Sequence, residues 1–589
     1  MAAERRLLSG NEAIARGAWE SGVRVATGYP GTPSTEILET LSAYPEVRSQ
    51  WSVNEKVALE VGMGAALAGV RALVAMKHVG LNVAADPLMT LSYTGVRGGL
   101  VLVTADDPEM HSSQNEQDNR HYARLAKVPM LEPADSQEAK NFTRLAFELS
   151  ERFDTPVLLR TTTRVSHSKS IVRLEPPSRP QSAPGLHKDP VKFVMVPAHA
   201  RRRHPVVEKR LLDLARFAED FPENRLEWGD RRWGIITGGI AYAYAREVMP
   251  EASFLKLGLV YPLPQEKIRS FASQVERLFV VEELDPFIEE QVRALGLAAR
   301  GKEIFPICGE LSPALVERGL KGLPPPVPGT RPLPPRPPTM CPGCPHRGIF
   351  YVLNKLKLFV TGDIGCYTLG FLPPLSALDT CVCMGASIGH AQGLDQALGE
   401  EGVGKIVSVI GDSTFFHSGI TGLLDVVYNR GAVTVIILDN RTTAMTGRQD
   451  HPGTGFTLRG EETGPVDLAH LGRALGVRRV KVVDPYQLAA TERVISWEVR
   501  RPEPSLIISR GPCVLSRREK PSWKGPFSVD PDACTGCRAC LRLGCPALGW
   551  TTGEGEGRGR AAVEGSLCNG CTLCAQVCKF GALKEPDGK

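Results

Sequence analysis

Ile406-Val-Ser-Val-Ile-Gly411-Asp412-Ser413 and Val433-Thr-Val-Ile-Ile-Leu-Asp439-Asn440-Arg441-Thr442 are two apolar runs, each ending in a polar cluster. Short runs rich in valine and isoleucine, stopped by glycine, aspartate or asparagine, read as strands buried on both faces. Strands of that kind belong to parallel sheets covered by helices. In open sheets of this class ligands bind beyond the carboxyl ends of the strands. The polar clusters, not the apolar runs, are therefore where chemistry is expected.

Outward from these strands the pattern repeats. Residues 1–190 alternate short apolar runs, such as Ala72-Leu-Val-Ala-Met76 and Leu100-Val-Leu-Val-Thr104, with amphipathic stretches, as an α/β parallel sheet requires. Residues 230–320 continue on a smaller scale. There Gly234-Ile-Ile-Thr-Gly-Gly239 reads as a strand entering a turn and Leu278-Phe-Val-Val-Glu-Glu283 as a later strand. Between 323 and 338 the proline-rich stretch can form neither helix nor central strand and marks a linker. Met63-Gly-Ala-Ala-Leu-Ala-Gly69 before one strand faintly echoes Met384-Gly-Ala-Ser-Ile-Gly389 before another. Small residues in packed helices explain that echo as well as duplication does.

The 589 residues suffice for several domains, and 42% hydrophobic with 23% charged residues is the balance of a globular enzyme. A net charge of only +5 gives no reason to expect nucleic acid as a partner. The opening Met1-Ala-Ala-Glu-Arg-Arg6 has no apolar signal core, and no run approaches the ~20 apolar residues of a membrane span. Cytoplasm is the expected location. The basic cluster Arg201, Arg202, Arg203, Lys209, Arg210 reads most simply as a solvated hinge, with an anion or partner site as the alternative.

Hard oxygen ligands suit magnesium, and the polar clusters supply them: the Asp412 carboxylate, the Asn440 amide oxygen and the Thr442 carbonyl. Gly411 permits close backbone approach, and a helix starting after Phe415 would aim its N-terminal dipole at a diphosphate. A turn with a helix cap accounts for Gly-Asp-Ser equally well.

Eight of the fifteen cysteines form two near-copies of one run, Cys534, Cys537, Cys540, Cys545 and Cys568, Cys571, Cys574, Cys578. Cysteines at this interval place three thiolates around one 4Fe-4S cubane, while the remote fourth cysteine of each run serves the other cluster. Cys534, Cys537, Cys540 and Cys578 then hold one cluster, and Cys545, Cys568, Cys571 and Cys574 the other. A disulfide framework is at odds with a chain lacking a secretory signal, and zinc pairs need no third cysteine. One extra residue before Cys545 and Lys579 in the usual place of proline depart from the pattern.

Gly-Asp-Ser followed by Asp-Asn about 27 residues later resembles the thiamine diphosphate fingerprint. Gly28-Tyr-Pro-Gly-Thr-Pro-Ser34, Trp51-Ser-Val-Asn-Glu55, Cys341-Pro-Gly-Cys344-Pro-His-Arg-Gly348, Gly362-Asp-Ile-Gly-Cys366 and the cysteine tail follow the order of the 2-oxoacid:ferredoxin oxidoreductases. Within that family the whole chain is most similar to the large, alpha-type subunits acting on indolepyruvate.

The resemblance implies an α/β multidomain fold. A pyrimidine-binding domain covers 1–190, a transketolase C-terminal-like domain 191–322, a diphosphate-binding domain 339–525 and a ferredoxin-like domain with two 4Fe-4S clusters 526–589. It implies that Glu55 hydrogen-bonds the aminopyrimidine of the cofactor, where a carboxylate assists proton removal. It places Thr32, Gly365, Met384, Gly385, Gly411, Ser413 and Met445 around thiamine diphosphate, with Asp412, Asn440 and Thr442 on Mg2+. It implies a third cluster at Cys341, Cys344, Cys366 and Cys513, for which a zinc half-site or redox pair is the alternative. Cys308, Cys381 and Cys383 are left as ordinary buried thiols, and His346 and His417 as turn or packing histidines.

The implied reaction is oxidative decarboxylation of an arylpyruvate, indole-3-pyruvate first. Electrons pass singly to ferredoxin and the acyl group to coenzyme A, with a smaller beta subunit completing the enzyme. The competing readings are another 2-oxo acid as substrate, a non-oxidative thiamine-dependent decarboxylase, and an electron-carrier subunit with no thiamine cofactor. By position alone, Glu55 would be a surface helix glutamate.

Overall fold

The computed structural model describes residues 4–178, 184–324, 334, 337–552 and 559–586, so most of the expected linker at 323–338 lies outside the described residues. The chain divides into two compact units, Met1–Thr330 and Arg331–Lys589.

The first unit is built on a seven-stranded sheet. Its order is Leu259–Tyr261, Met130–Leu131, Val157–Thr162, Leu100–Asp106, Ala72–Lys77, Val25–Gly28, Arg48–Trp51. All neighbours are parallel except the first pair. Every residue of Leu100–Asp106 and Val157–Thr162 is buried, which is why these strands carry no polar alternation. A second sheet, in the order Ala299–Arg300, Leu278–Val281, Asp230–Gly238, Ala252–Leu257, Arg225–Glu227, is parallel apart from its last strand. The chain leaves Ala252–Leu257 and at once joins the first sheet as Leu259–Tyr261. One apolar core therefore contains Met130 and Leu158 of the first sheet with Leu255 and Val280 of the second.

The basic cluster is not a hinge. It lies on the 24-residue helix Pro197–Asp220, whose Val207, Arg210, Leu214 and Ala218 recur at helical spacing and are buried. Arg210 donates to the carbonyls of Asp154 at 2.8 Å and Ser92 at 2.5 Å, and burial lowers its pKa to about 10. Arg203 donates to the Tyr93 carbonyl at 2.7 Å.

The second unit carries a five-stranded, wholly parallel sheet in the order Phe359–Thr361, Ile406–Gly411, Thr434–Asp439, Ser505–Arg510, Arg479–Val483. Ile406–Gly411 and Thr434–Asp439 are buried throughout, and Gly411 pairs with Leu438, so Asp412 and Asn440 leave the same sheet edge on adjacent strands. The helix here begins at Asp412 and not beyond Phe415. Asp412–Thr414 leads through a π-helical turn, Phe415–Gly419, into Ile420–Tyr428. The wide turn lets consecutive Phe415 and Phe416 both reach the core, and such turns recur at functional sites. The tail adds two small antiparallel ladders, Ser528–Val529 with Leu583–Lys584 and Leu548–Thr551 with Arg560–Val563. Among the described residues no helix is long and apolar enough to cross a membrane.

Candidate active site

In the first unit, Glu55 opens the helix Glu55–Leu67, capped by Asn54, whose Oδ1 accepts from the Val57 amide at 2.9 Å. Glu55 is only 4% exposed, unlike the surface glutamate its position suggests. A Cβ on Gly80 would stand 2.7 Å from Glu55 Oε1, so glycine keeps open the space this carboxylate fills. Beside it at the end of the next strand is Lys77. Burial lowers its amine to about 8 against the opposing pull of Asp107 and Glu55. Lys77 donates to the Ser112 carbonyl at 3.0 Å, and the Ser112 hydroxyl donates to the Thr32 carbonyl at 3.2 Å. Its stem lies 3.1 Å from where a Cβ of Gly31 would be. His78 is fully buried with Nε2 3.0 Å from Asn115 Oδ1, while its Nδ1 has no partner. Thr32, Glu55, Lys77 and His78 thus share one carboxyl edge. Lys77 and His78 escaped the sequence reading, although a cation ending a buried strand was the available signal.

In the second unit, buried Asp412 accepts from the Ser413 amide on Oδ1 at 2.8 Å and from the Arg441 amide on Oδ2 at 2.9 Å. Asn440 Oδ1 accepts from the Thr442 amide at 3.2 Å, and Thr443 donates its hydroxyl to Ser413 Oγ at 2.9 Å. Asp412, Ser413, Asn440 and Thr442 are therefore gathered together. His346 joins them: its Nε2 lies 3.3 Å from Asn440 Nδ2, and burial lowers its pKa to about 4 despite nearby Asp412. It is a neutral histidine of this cluster and not merely a turn residue. His451, which the sequence did not single out, accepts from the Gly453 amide on Nδ1. Its buried Nε2 sits 3.2 Å from Asp412 Oδ2, close enough for an ion pair but not aligned as a hydrogen bond.

Gly385 has φ +90°, and a Cβ on it would stand 2.5 Å from Ser418 Cβ, so only glycine brings the helix Ala386–Leu398 this close to the π turn. Its amide donates to both Asp363 oxygens at 3.0 and 2.9 Å. A Cβ on Gly411 would meet the Tyr367 ring at 2.8 Å. Gly365 donates to Thr368 Oγ at 3.2 Å, Met384 is half-buried before Gly385, and Met445 stands half exposed after the Asn440 loop. His417 lies buried with Nδ1 2.6 Å from Ser418 Oγ.

The residues fit a bound polar cofactor. In the first unit His78 Nδ1 is a buried polar atom with no hydrogen-bond partner, and in the second unit His451 Nε2 has only the off-axis Asp412 carboxylate beside it, so each sheet edge separately holds a buried nitrogen that a bound polar group would satisfy. Asp412, Asn440 and Thr442 are the hard oxygen donors magnesium takes.

Cys341, Cys344, Cys366 and Cys513 are neighbours. Burial raises Cys344 to about 12, with Cys341 and Cys366 adding to it, and raises Cys366 to about 11, with Cys513 and Cys341 adding. The Cys513 amide donates to the Asn440 carbonyl at 2.9 Å, which ties this quartet to the Asp412 cluster. In the tail, Cys534, Cys537, Cys540 and Cys578 line one pocket, and Cys545, Cys568, Cys571 and Cys574 line another. The quartets are crossed between the two runs. Among the described residues no three cysteine sulfurs lie within 4.8 Å of one another, wider than the about 3.8 Å a tetrahedral zinc site imposes. Gly544, at φ +61°, absorbs the extra residue before Cys545 in the left-handed region. Cys308, Cys381 and Cys383, expected to be buried, are exposed; the latter two sit on the loop before Gly385.

Residues 16–210 match the family described as pyruvate flavodoxin/ferredoxin oxidoreductase, thiamine diP-binding, and residues 363–509 the C-terminal TPP-binding domain of thiamine pyrophosphate enzymes. The chain is 42% identical to indolepyruvate oxidoreductase subunit IorA of Archaeoglobus fulgidus, covering 99% of this chain and 97% of that one. It is 44% identical to the subunit of the same name in Methanothermobacter marburgensis, covering 100% and 98%. A 2-oxoglutarate synthase subunit KorA from Archaeoglobus fulgidus is 27% identical over 51% of this chain. Identity above two-fifths along the full length leaves one conclusion: the chain belongs to the family of indolepyruvate oxidoreductase subunit IorA.

Proposed function

We propose that the chain catalyses oxidative decarboxylation of arylpyruvates, indole-3-pyruvate first, to the acyl-CoA with reduction of ferredoxin. Thiamine diphosphate, when bound, supplies the electron sink through which a 2-oxo acid loses carbon dioxide. Glu55 holds the proton at the aminopyrimidine of the cofactor, in a recess dry enough for a carboxylate to act as base. Asp412, Asn440 and the Thr442 carbonyl hold Mg2+ and through it the diphosphate, with Thr32, Gly365, Met384, Gly385, Gly411, Ser413 and Met445 as further contacts. The tail quartets hold two 4Fe-4S clusters, and Cys341, Cys344, Cys366 and Cys513 a third. In this reading 1–190 serves the pyrimidine, 191–322 is transketolase C-terminal-like, 339–525 serves the diphosphate, and 526–589 is the ferredoxin-type domain.

One observation carries the proposal: the hydrogen bond from Cys513 to Asn440 joins a four-cysteine set to the magnesium-type oxygen donors. A decarboxylase releasing aldehyde has no use for thiols there. The relatives are named as subunits, which supports a second, smaller subunit as partner, and unpaired cysteines suit a reducing cytoplasm.

Chain and partner purified without oxygen should contain thiamine diphosphate, magnesium and about twelve iron atoms per chain. Assays with ferredoxin and coenzyme A should give a kcat/KM for indolepyruvate more than about tenfold above those for pyruvate and 2-oxoglutarate. Iron without thiamine diphosphate, or 2-oxo acid turnover without ferredoxin reduction, would overturn it.

A further inference from the structure

Arg347 follows Cys344 by three residues and is 2% exposed. Among the described residues Arg160 and Arg120, buried to the same degree, are neutralised by carboxylates: Arg160 pairs with Asp106 at 2.7 Å and Glu132 at 2.6 Å, and Arg120 pairs with Asp118 and Glu282, while Arg210, 5% exposed and held by carbonyls, lies near the Asp154 carboxylate. Arg347 has carbonyl partners only. Nη1 donates to Leu543 at 2.6 Å, and Nη2 donates to Met340 at 2.7 Å and Cys341 at 3.2 Å, while its Nε–H has no acceptor. A buried guanidinium without a counter-charge is costly. Its side chain lines the pocket of Cys545, Cys568, Cys571 and Cys574 and, among the described residues lining it, is the one charged group apart from those thiols.

We propose that Arg347 is the counter-cation of the iron-sulfur cluster held by Cys545, Cys568, Cys571 and Cys574, and that it raises the reduction potential of that cluster above that of its neighbour in the tail. This rests on the cluster reading above. A cubane on four thiolates is anionic and gains one negative charge with each electron, so a cation beside it favours the reduced form. Burial keeps that attraction unscreened. The arginine on the other cavity, Arg538, is exposed and stacked 4.4 Å over Trp550, so water screens it. Arg347 itself also donates to the Cys341 carbonyl, which sets the favoured cluster next to the inner quartet.

The test is a dithionite titration, followed by electron paramagnetic resonance, of the full chain purified without oxygen. Signals are assigned by their loss in Cys545→Ser and Cys578→Ser. In Arg347→Gln the signal lost with Cys545 should need a more reducing potential by about 59 mV or more, a tenfold drop in its reduced-to-oxidised ratio. The signal lost with Cys578 should stay put, and Arg347→Lys should recover most of the shift. If Arg347→Gln does not assemble that cluster, Arg347→Lys decides alone: a midpoint within tenfold of native supports the proposal and a larger fall overturns it. An unmoved midpoint in Arg347→Gln at full iron content overturns it, as does a shift confined to the other signal. Native protein without iron would instead remove the cluster reading itself.

Discussion

Glu55→Gln is expected to lower ferredoxin reduction by about 10²–10⁴-fold while leaving iron content at the native level. The substitution is close to isosteric. It keeps the side chain in the space left by Gly80 and leaves the Asn54 cap intact, so the helix Glu55–Leu67 should stay docked. What is lost is a buried anion able to hold a proton. An amide can accept a hydrogen bond but cannot take the proton the reaction needs moved. Because the cysteine quartets lie in the other compact unit, native iron content shows that the electron acceptors are intact and that the loss lies upstream of them. Turnover at the native rate would remove Glu55 from the mechanism.

Asp412→Asn should weaken magnesium-dependent binding of thiamine diphosphate by about 10–100-fold or more, measured by calorimetry on cofactor-depleted enzyme. Both carboxylate oxygens accept backbone amides, from Ser413 and Arg441. An asparagine must turn its NH2 toward one of them, setting donor against donor at a cost of about 1–3 kcal/mol. It also withdraws the negative charge that magnesium requires. The sheet beneath is unaffected, since Ile406–Gly411 packs through its apolar residues. Native cofactor affinity in this variant would exclude Asp412 as a ligand.

What the sequence made legible follows from range. Ile406–Gly411, Thr434–Asp439 and Leu100–Asp106 announced themselves because burial on both faces demands unbroken apolar runs. The crossed cysteine quartets were readable because ligand spacing is itself the signal. Leu259–Tyr261, at three residues, is too short to carry a pattern, and its membership of the first sheet comes from tertiary pairing. The arginines of Pro197–Asp220 misled because a run of charge with Pro205 inside it imitates a hinge, whereas the face of Val207, Leu214 and Ala218 docks it. His451, His78 and Lys77 are single residues with no motif around them, and only folding brings them to the sheet edges. Arg347 stood within a quoted motif, yet its want of a carboxylate partner is a property of the packed interior alone.

We propose that electrons released from a 2-oxo acid pass into clusters held by this same polypeptide. The most direct test is to mix the purified enzyme with indolepyruvate in the absence of ferredoxin and freeze it within a turnover. The paramagnetic signal of a reduced cluster is expected to grow as carbon dioxide is released, and to vanish when ferredoxin is added. Carbon dioxide release with every cluster still oxidised would contradict it.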